Sequence, residues 1–221
     1  MDMNTIDKLD SENVTVIICS AGMGTRFGHG IPKALIDIDG KPLILHQLAL
    51  FENYDDVRVV VGFKHQQVIS VIKEYRDDVK CYINNDYMNT GAAASVIAGM
   101  ADDCRDYVIA LVGDVLIRPQ FMDKIINYQG ECISVCELST DNPIEVIVDH
   151  NAQVVEINSE NISGNYEWLG IVKVLKQHIN KSSRGALYQM IKPLLPMDVV
   201  VVNAKEIDTP NDLIKAIEWL E

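Results

Sequence analysis

Apolar positions along the chain follow two rhythms, one of period two and one near 3.6. Residues 14–19 are almost unbroken in apolar and β-branched side chains and predict a buried strand. Residues 42–51 carry helical spacing with Pro42 at the first position, where a missing N–H costs nothing. Residues 57–61 read as a second buried strand, and 66–75 place Val68, Ile69, Val71 and Ile72 on one helical face. Alternation over 79–83 gives a third strand. Strand, helix, strand, helix, strand is the pattern of a parallel α/β sheet, in which ligands sit beyond the carboxyl ends of the strands.

The rhythm continues with a helix over 92–100, a fourth strand over 107–112, and a helix over 119–128 that turns Phe121, Met122, Ile125 and Ile126 inward. Short strands follow at 132–138, 144–148 and 153–157, the last two flanking a hairpin-like turn at 149–152. Further strands are predicted at 171–175 and 198–202. The final helix opens with Thr209 as N-cap, Pro210 at the first position and Asp212 three residues after the cap. The 221 residues fit one domain, 1–221, with a single sizeable core and a loosely packed polar stretch at 1–13.

A net charge of −13 argues against nucleic acid or an anionic membrane surface as a partner. The five cysteines form no C-x-x-C pair, and Cys19, Cys81, Cys132 and Cys136 fall in apolar runs as small hydrophobes. No apolar run reaches the length of a membrane span, which leads to the expectation of a cytoplasmic protein.

The chemistry centres on the loop after the first strand, Cys19-Ser20-Ala21-Gly22-Met23-Gly24-Thr25-Arg26-Phe27, closed by Pro32-Lys33. Glycines spaced by one residue let the backbone approach a ligand, and successive N–H groups form an anion-binding concavity. Arg26 adds a charged fork for phosphate oxygens and Lys33 a mobile point charge, so the stretch suits a triphosphate. The P-loop and the dinucleotide fingerprint are both excluded: His29 follows Gly28, Pro42 follows Gly40-Lys41, and Phe27 stands where a third glycine belongs.

The composite A-G-x-G-x-R-(x5)-P-K, continuing through Leu35 and Gly40-Lys41-Pro42-Leu43-Ile44, resembles the signature of nucleotidyltransferases that activate sugar phosphates and phosphocholine. Gly113-Asp114 beyond the fourth strand is similar to the family's magnesium-binding motif, and Ile207-Asp208-Thr209-Pro210 to its closing segment, where the aspartate is a second ligand. The resemblance implies an α/β three-layer sandwich with a mixed, mostly parallel central sheet. It implies a catalytic set of Arg26, Lys33, Asp114 and Asp208, with Asp114 and Asp208 on Mg²⁺. Nucleotide contacts fall on Ala21, Gly22, Met23, Gly24, Thr25 and Arg26, and on Asn85, Thr90, Gly91 and Ser95 of the loop after the third strand. Tyr166, Glu167 and Trp168 stand where the family meets its second substrate.

The implied reaction joins the NMP of a nucleoside triphosphate to a small phosphorylated or phosphonate substrate and releases pyrophosphate. The short chain favours CTP, and no Glu-Lys-Pro segment lies between Val154 and Gly170, which favours a non-hexose acceptor. A sugar-1-phosphate uridylyl- or guanylyltransferase is the alternative. A metal-dependent glycosyltransferase would want Asp-x-Asp at the fourth strand, where Gly113-Asp114-Val115 stands, and a non-catalytic nucleotide-binding module would not need all four charged residues. The family includes monomers and dimers, so a homodimer is compatible with the resemblance.

Overall fold

The computed structural model describes residues 13–27, 30–140, 142–158 and 163–220; of the loose stretch expected at 1–13, only Asn13 lies among them. In chain order the strands begin with β1 (Val14–Ser20), β2 (Asp37–Ile38) and β3 (Lys41–Pro42), followed by helix α1 (Leu43–Ala49). Next come β4 (Val57–Val61), α2 (His65–Tyr75), β5 (Lys80–Ile83), α3 (Ala92–Gly99), β6 (Tyr107–Val112), β7 (Val115–Ile117) and α4 (Pro119–Ile126). The chain continues through β8 (Cys132–Val135), β9 (Glu145–Val148), β10 (Gln153–Ile157), β11 (Tyr166–Glu167) and β12 (Ile171–Leu175). It ends with α5 (Leu187–Ile191), β13 (Met197–Val201), β14 (Ala204–Glu206) and α6 (Pro210–Leu220).

Ten strands form one mixed sheet in the order β11-β9-β10-β13-β8-β12-β6-β1-β4-β5. Strands β6, β1, β4 and β5 run parallel, so the loops that follow them leave from one edge. β12 enters antiparallel between β6 and β8, β8 pairs parallel with β13, and β10, β9 and β11 extend the sheet antiparallel. β1 is buried along its whole length, and its period of two divides it cleanly. Val14, Val16 and Ile18 face α1, α2 and α4, while Ile17 and Cys19 face α3 and α5. The result is the three-layer sandwich that the family resemblance implies. A third, smaller cluster of Ile38, Leu43, Leu116, Ile207 and Ala216 seats α6 against β2, β7 and β14.

Several boundaries differ from the sequence expectation. Helix α1 starts at Leu43, with Pro42 as the residue before it, because Pro42 pairs with Asp37 in the β2–β3 hairpin. β8 stops at Val135, three residues short of the predicted end, and Cys136 makes only an isolated pairing with Glu167.

At the opposite edge of the sheet, Arg58 is fully buried and engages both carboxylate oxygens of Asp56 at 2.9 Å. Its remaining donors reach the carbonyls of Gly99 and Asp103 at 2.9 and 2.6 Å. Burial opposes the charge on Asp56, but hydrogen bonds from Arg58, Thr15 and Lys80 outweigh it and hold its pKa at about 2. A carboxylate depressed in this way stabilises the fold above its unfolded pKa of about 3.9, and that contribution is lost as pH falls toward 2. Urea midpoints at pH 5 and pH 2 should register a loss of about 2 kcal/mol from this group, and Asp56→Asn should flatten that part of the slope.

Candidate active site

The loop after β1 turns at Gly24, whose φ of +61° lies in the left-handed region. Its carbonyl accepts from the Phe27 N–H at 3.0 Å and closes a short 3₁₀ turn over Thr25–Phe27. The turn carries Arg26 outward, and Arg26 pairs with Asp208. A second 3₁₀ turn, Lys33–Leu35, directs the Lys33 ammonium inward. Cys19, beside this loop, has its thiol pushed up to about 12, by burial first and by the charge of Asp114 second, so it offers no thiolate nucleophile.

Asp114 sits in the turn between β6 and β7. Gln47 of α1, 1% exposed, donates its amide N–H groups to Val112 O at 3.0 Å and Val115 O at 2.9 Å, stapling both ends of that turn. Gly113 packs directly on β1: a Cβ there would stand 2.5 Å from the Cys19 carbonyl oxygen and 2.9 Å from Ser20 Cα. Gly113→Ala is expected to cost about 1–3 kcal/mol, as overpacking does, and to cut turnover at least tenfold by displacing Asp114. Urea melts and turnover measured together test this.

Asp208 arrives from the other end of the chain. β14 pairs antiparallel with β7, and the Ile207 N–H donates to Asp114 O at 2.8 Å, which locks the two acidic segments side by side. The Thr209–Asp212 box then starts α6 as the sequence predicts, with Thr209 N and Oγ1 donating to Asp212 Oδ2 at 2.9 and 2.8 Å. Lys33 Nζ lies 2.9 Å from Asp114 Oδ2 and also pairs with Asp208 Oδ1. Burial works against its charge, but Asp114 and Asp208 outweigh that effect and hold the Lys33 pKa above the ordinary lysine value.

Glu206 completes the acidic group. One carboxylate oxygen from each of Asp114, Glu206 and Asp208 lies within 4.8 Å of the others. Burial, followed by the charges of Asp114 and Asp208, pushes Glu206 up to about 7. Asp114 Oδ1 is buried with no hydrogen-bond partner. An orphaned carboxylate oxygen amid three hard oxygen donors fits a divalent cation. Sequence reasoning missed Glu206, although it stands two residues before Asp208 in an extended segment and therefore faces the same side.

A cavity of about 620 Å³ opens beside this cluster. Among the sequence-predicted residues, Arg26, Gly91, Asp114, Trp168 and Asp208 line it. The stretch Ala21 to Thr25 lies along the same sheet edge without lining it, as do Asn85, Thr90 and Ser95. Asn85 is exposed, and Asn84 is the buried organiser of its loop, donating to Thr90 Oγ1 at 3.0 Å and Ser95 Oγ at 3.3 Å. Tyr166 is half-buried beside the second core cluster. Trp168 is buried, and its indole N–H donates to Ile171 O at 3.0 Å, so it forms part of the cavity wall. Glu167 is wholly buried and bonds Ser139 and Thr140. No described helix is long and apolar enough to cross a membrane.

Known proteins bear on this geometry. Residues 16–156 match the MobA-like NTP transferase domain. The bifunctional protein GlmU of Cereibacter sphaeroides (strain ATCC 17025) is 28% identical over 120 residues, 53% of this chain and 26% of its own length. The 2-C-methyl-D-erythritol 4-phosphate cytidylyltransferase of Leptospira interrogans is 28% identical over 160 residues, 69% of this chain and 63% of its own. The chain thus spans between about a quarter and two thirds of these curated relatives. The structure of the inositol-1-phosphate CTP transferase from T. maritima superposes with a TM-score of 0.77 at 19% identity, covering 93% of this chain and 94% of that one, which is a likeness of fold. With its loop after β1, its Gly113-Asp114 turn and more than half of its length accounted for by that match, the chain belongs to the family of MobA-like NTP transferase domains.

Proposed function

We propose that the protein is a Mg²⁺-dependent nucleotidyltransferase, with CTP the favoured nucleotide. It joins the NMP to a small phosphorylated or phosphonate acceptor and releases pyrophosphate. The observation that carries this reading is the Lys33 ammonium held between Asp114 and Asp208, the two carboxylates that line the cavity of about 620 Å³. An oxygen of the acceptor's phosphate attacks the α-phosphorus, the bond from that phosphorus to the bridging oxygen breaks, and pyrophosphate leaves with the electron pair. The attacking group is already an anion, so alignment and charge neutralisation replace a strong general base.

On this reading Lys33 spans the α-phosphate and the incoming phosphate and offsets their repulsion. Arg26, with 65% of its side chain exposed, swings from Asp208 onto the β- and γ-phosphates. Asp114, Asp208 and Glu206 would hold Mg²⁺, which when bound supplies a Lewis acid for the phosphate oxygens. The preference for CTP is supported by the likeness to the Leptospira cytidylyltransferase and to the T. maritima CTP transferase. The test is pyrophosphate release with Mg²⁺, scanning CTP, UTP, GTP, ATP and dTTP against inositol 1-phosphate, phosphocholine, phosphoethanolamine, 2-aminoethylphosphonate and hexose 1-phosphates. Release from CTP with a non-hexose acceptor, abolished by EDTA, is expected. Release only from UTP or GTP with a hexose 1-phosphate would replace this reading by the sugar-1-phosphate alternative. No release with any pair would reject it.

A further inference from the structure

Glu167 lies in β11 with no solvent exposure, and its carboxylate is spent on one neighbouring segment. Oε1 accepts from Ser139 N at 3.0 Å and Ser139 Oγ at 2.8 Å. Oε2 accepts from Thr140 N at 3.3 Å and Thr140 Oγ1 at 2.8 Å. Two backbone donors and two hydroxyl donors thus converge on one buried carboxylate. The backbone of β11 adds a reciprocal pair with Cys136, N–H to O at 2.9 Å in both directions. Glu167 does not line the cavity, whereas Thr140 and Asn142 do.

The direction of these bonds has a chemical result. A threonine hydroxyl has one proton to donate and two lone pairs. Thr140 gives its proton to Glu167, so toward the cavity its oxygen can only accept. We infer that Glu167 is a positioning residue for acceptor recognition, holding Thr140 so that the cavity wall presents an accepting oxygen to a hydrogen-bond donor on the acceptor. This inference rests on the nucleotidyltransferase reading and narrows its substrate class. An acceptor bearing a hydroxyl or a primary ammonium can satisfy Thr140, and a quaternary ammonium, which has no N–H, cannot.

Glu167→Gln puts an NH₂ group where one set of donors points, and a backbone N–H cannot turn round to accept from it. E167Q should therefore raise the acceptor KM about tenfold or more while leaving the dissociation constant for CTP and the Mg²⁺ dependence within twofold. Amide hydrogen exchange at Ser139 and Thr140 should accelerate in E167Q while β1 and β6 stay protected. In the wild type, phosphoethanolamine or inositol 1-phosphate should be used at least tenfold better than phosphocholine, and Thr140→Val should shrink that ratio toward one.

An unchanged acceptor KM in E167Q, or an equal rise in KM for both substrates, would overturn the inference. So would phosphocholine as the best acceptor of an active wild-type enzyme. If E167Q does not fold, T140V carries the test alone, and an unaltered preference there refutes it. A wild type silent on every pair rejects the underlying activity instead, a result distinct from an active enzyme indifferent to E167Q.

Discussion

Lys33→Ala should fold with wild-type secondary structure and lose turnover by a factor of about 10²–10³, the cost of removing one preorganised charge-stabilising donor, about 2.7–4 kcal/mol. The expectation follows from where the ammonium sits. Only 13% of its side chain is exposed, and it faces Asp114 and Asp208 together. In a chain of net charge −13, few groups can offset the charge of a triphosphate and an anionic acceptor brought together. Alanine keeps the 3₁₀ turn at Lys33–Leu35, whose bonds are all backbone, so the loss should fall on kcat more than on folding. Initial rates of pyrophosphate release and a thermal melt followed by circular dichroism measure the two effects separately. Turnover within threefold of wild type would remove Lys33 from the chemistry.

Arg58→Met should cost about 3 kcal/mol of stability, more than any surface change, because it takes the bidentate partner from a buried carboxylate and leaves it only Thr15 and the half-exposed Lys80. Asp56 is 6% exposed and would lose its bidentate partner, while the carbonyls of Gly99 and Asp103 would lose their donors. Methionine fills much of the same volume, so the effect should report the lost charge pairing and hydrogen bonds and little of a cavity. The double change Asp56→Asn with Arg58→Met should recover part of the loss, since no buried charge is then left unpaired. Urea midpoints of the single and double variants decide this. An Arg58→Met variant as stable as wild type would mean that Thr15 and Lys80 suffice for Asp56.

Much of the sheet was legible because its strands are long enough to show a period. β1, β4 and β6 read directly from apolar and β-branched runs, α2 and α4 from helical spacing, and α6 from its capping residues. The β2–β3 hairpin, the β7–β14 pair and α5 did not, since two- or three-residue strands and a helix of little more than one turn carry too few positions to establish a rhythm. Lys33, Asp114 and Asp208 were legible as family motifs, and the structure adds their convergence. Glu206 was hidden because only the β7–β14 pairing, which leaves no local mark, brings it and its neighbour Asp208 beside the distant Asp114. Glu167 was expected to meet the second substrate, and side-chain direction in a two-residue strand cannot be read from sequence. Its carboxylate turns into the protein, onto Ser139 and Thr140.

Strand β14 places two members of the acidic cluster, Glu206 and Asp208, far beyond residue 156, where the family match ends. Synthesis proceeds from the amino terminus, and domains fold as units as they emerge. A growing chain that has reached β13 already holds every strand of the ten-stranded sheet, with the loop after β1, Lys33 and Asp114 in place, yet lacks half of the carboxylate pairing around Lys33. Strand β14 and the residues just after it therefore finish the site, and a polypeptide halted before them would carry the sheet's strands without the full complement of charge.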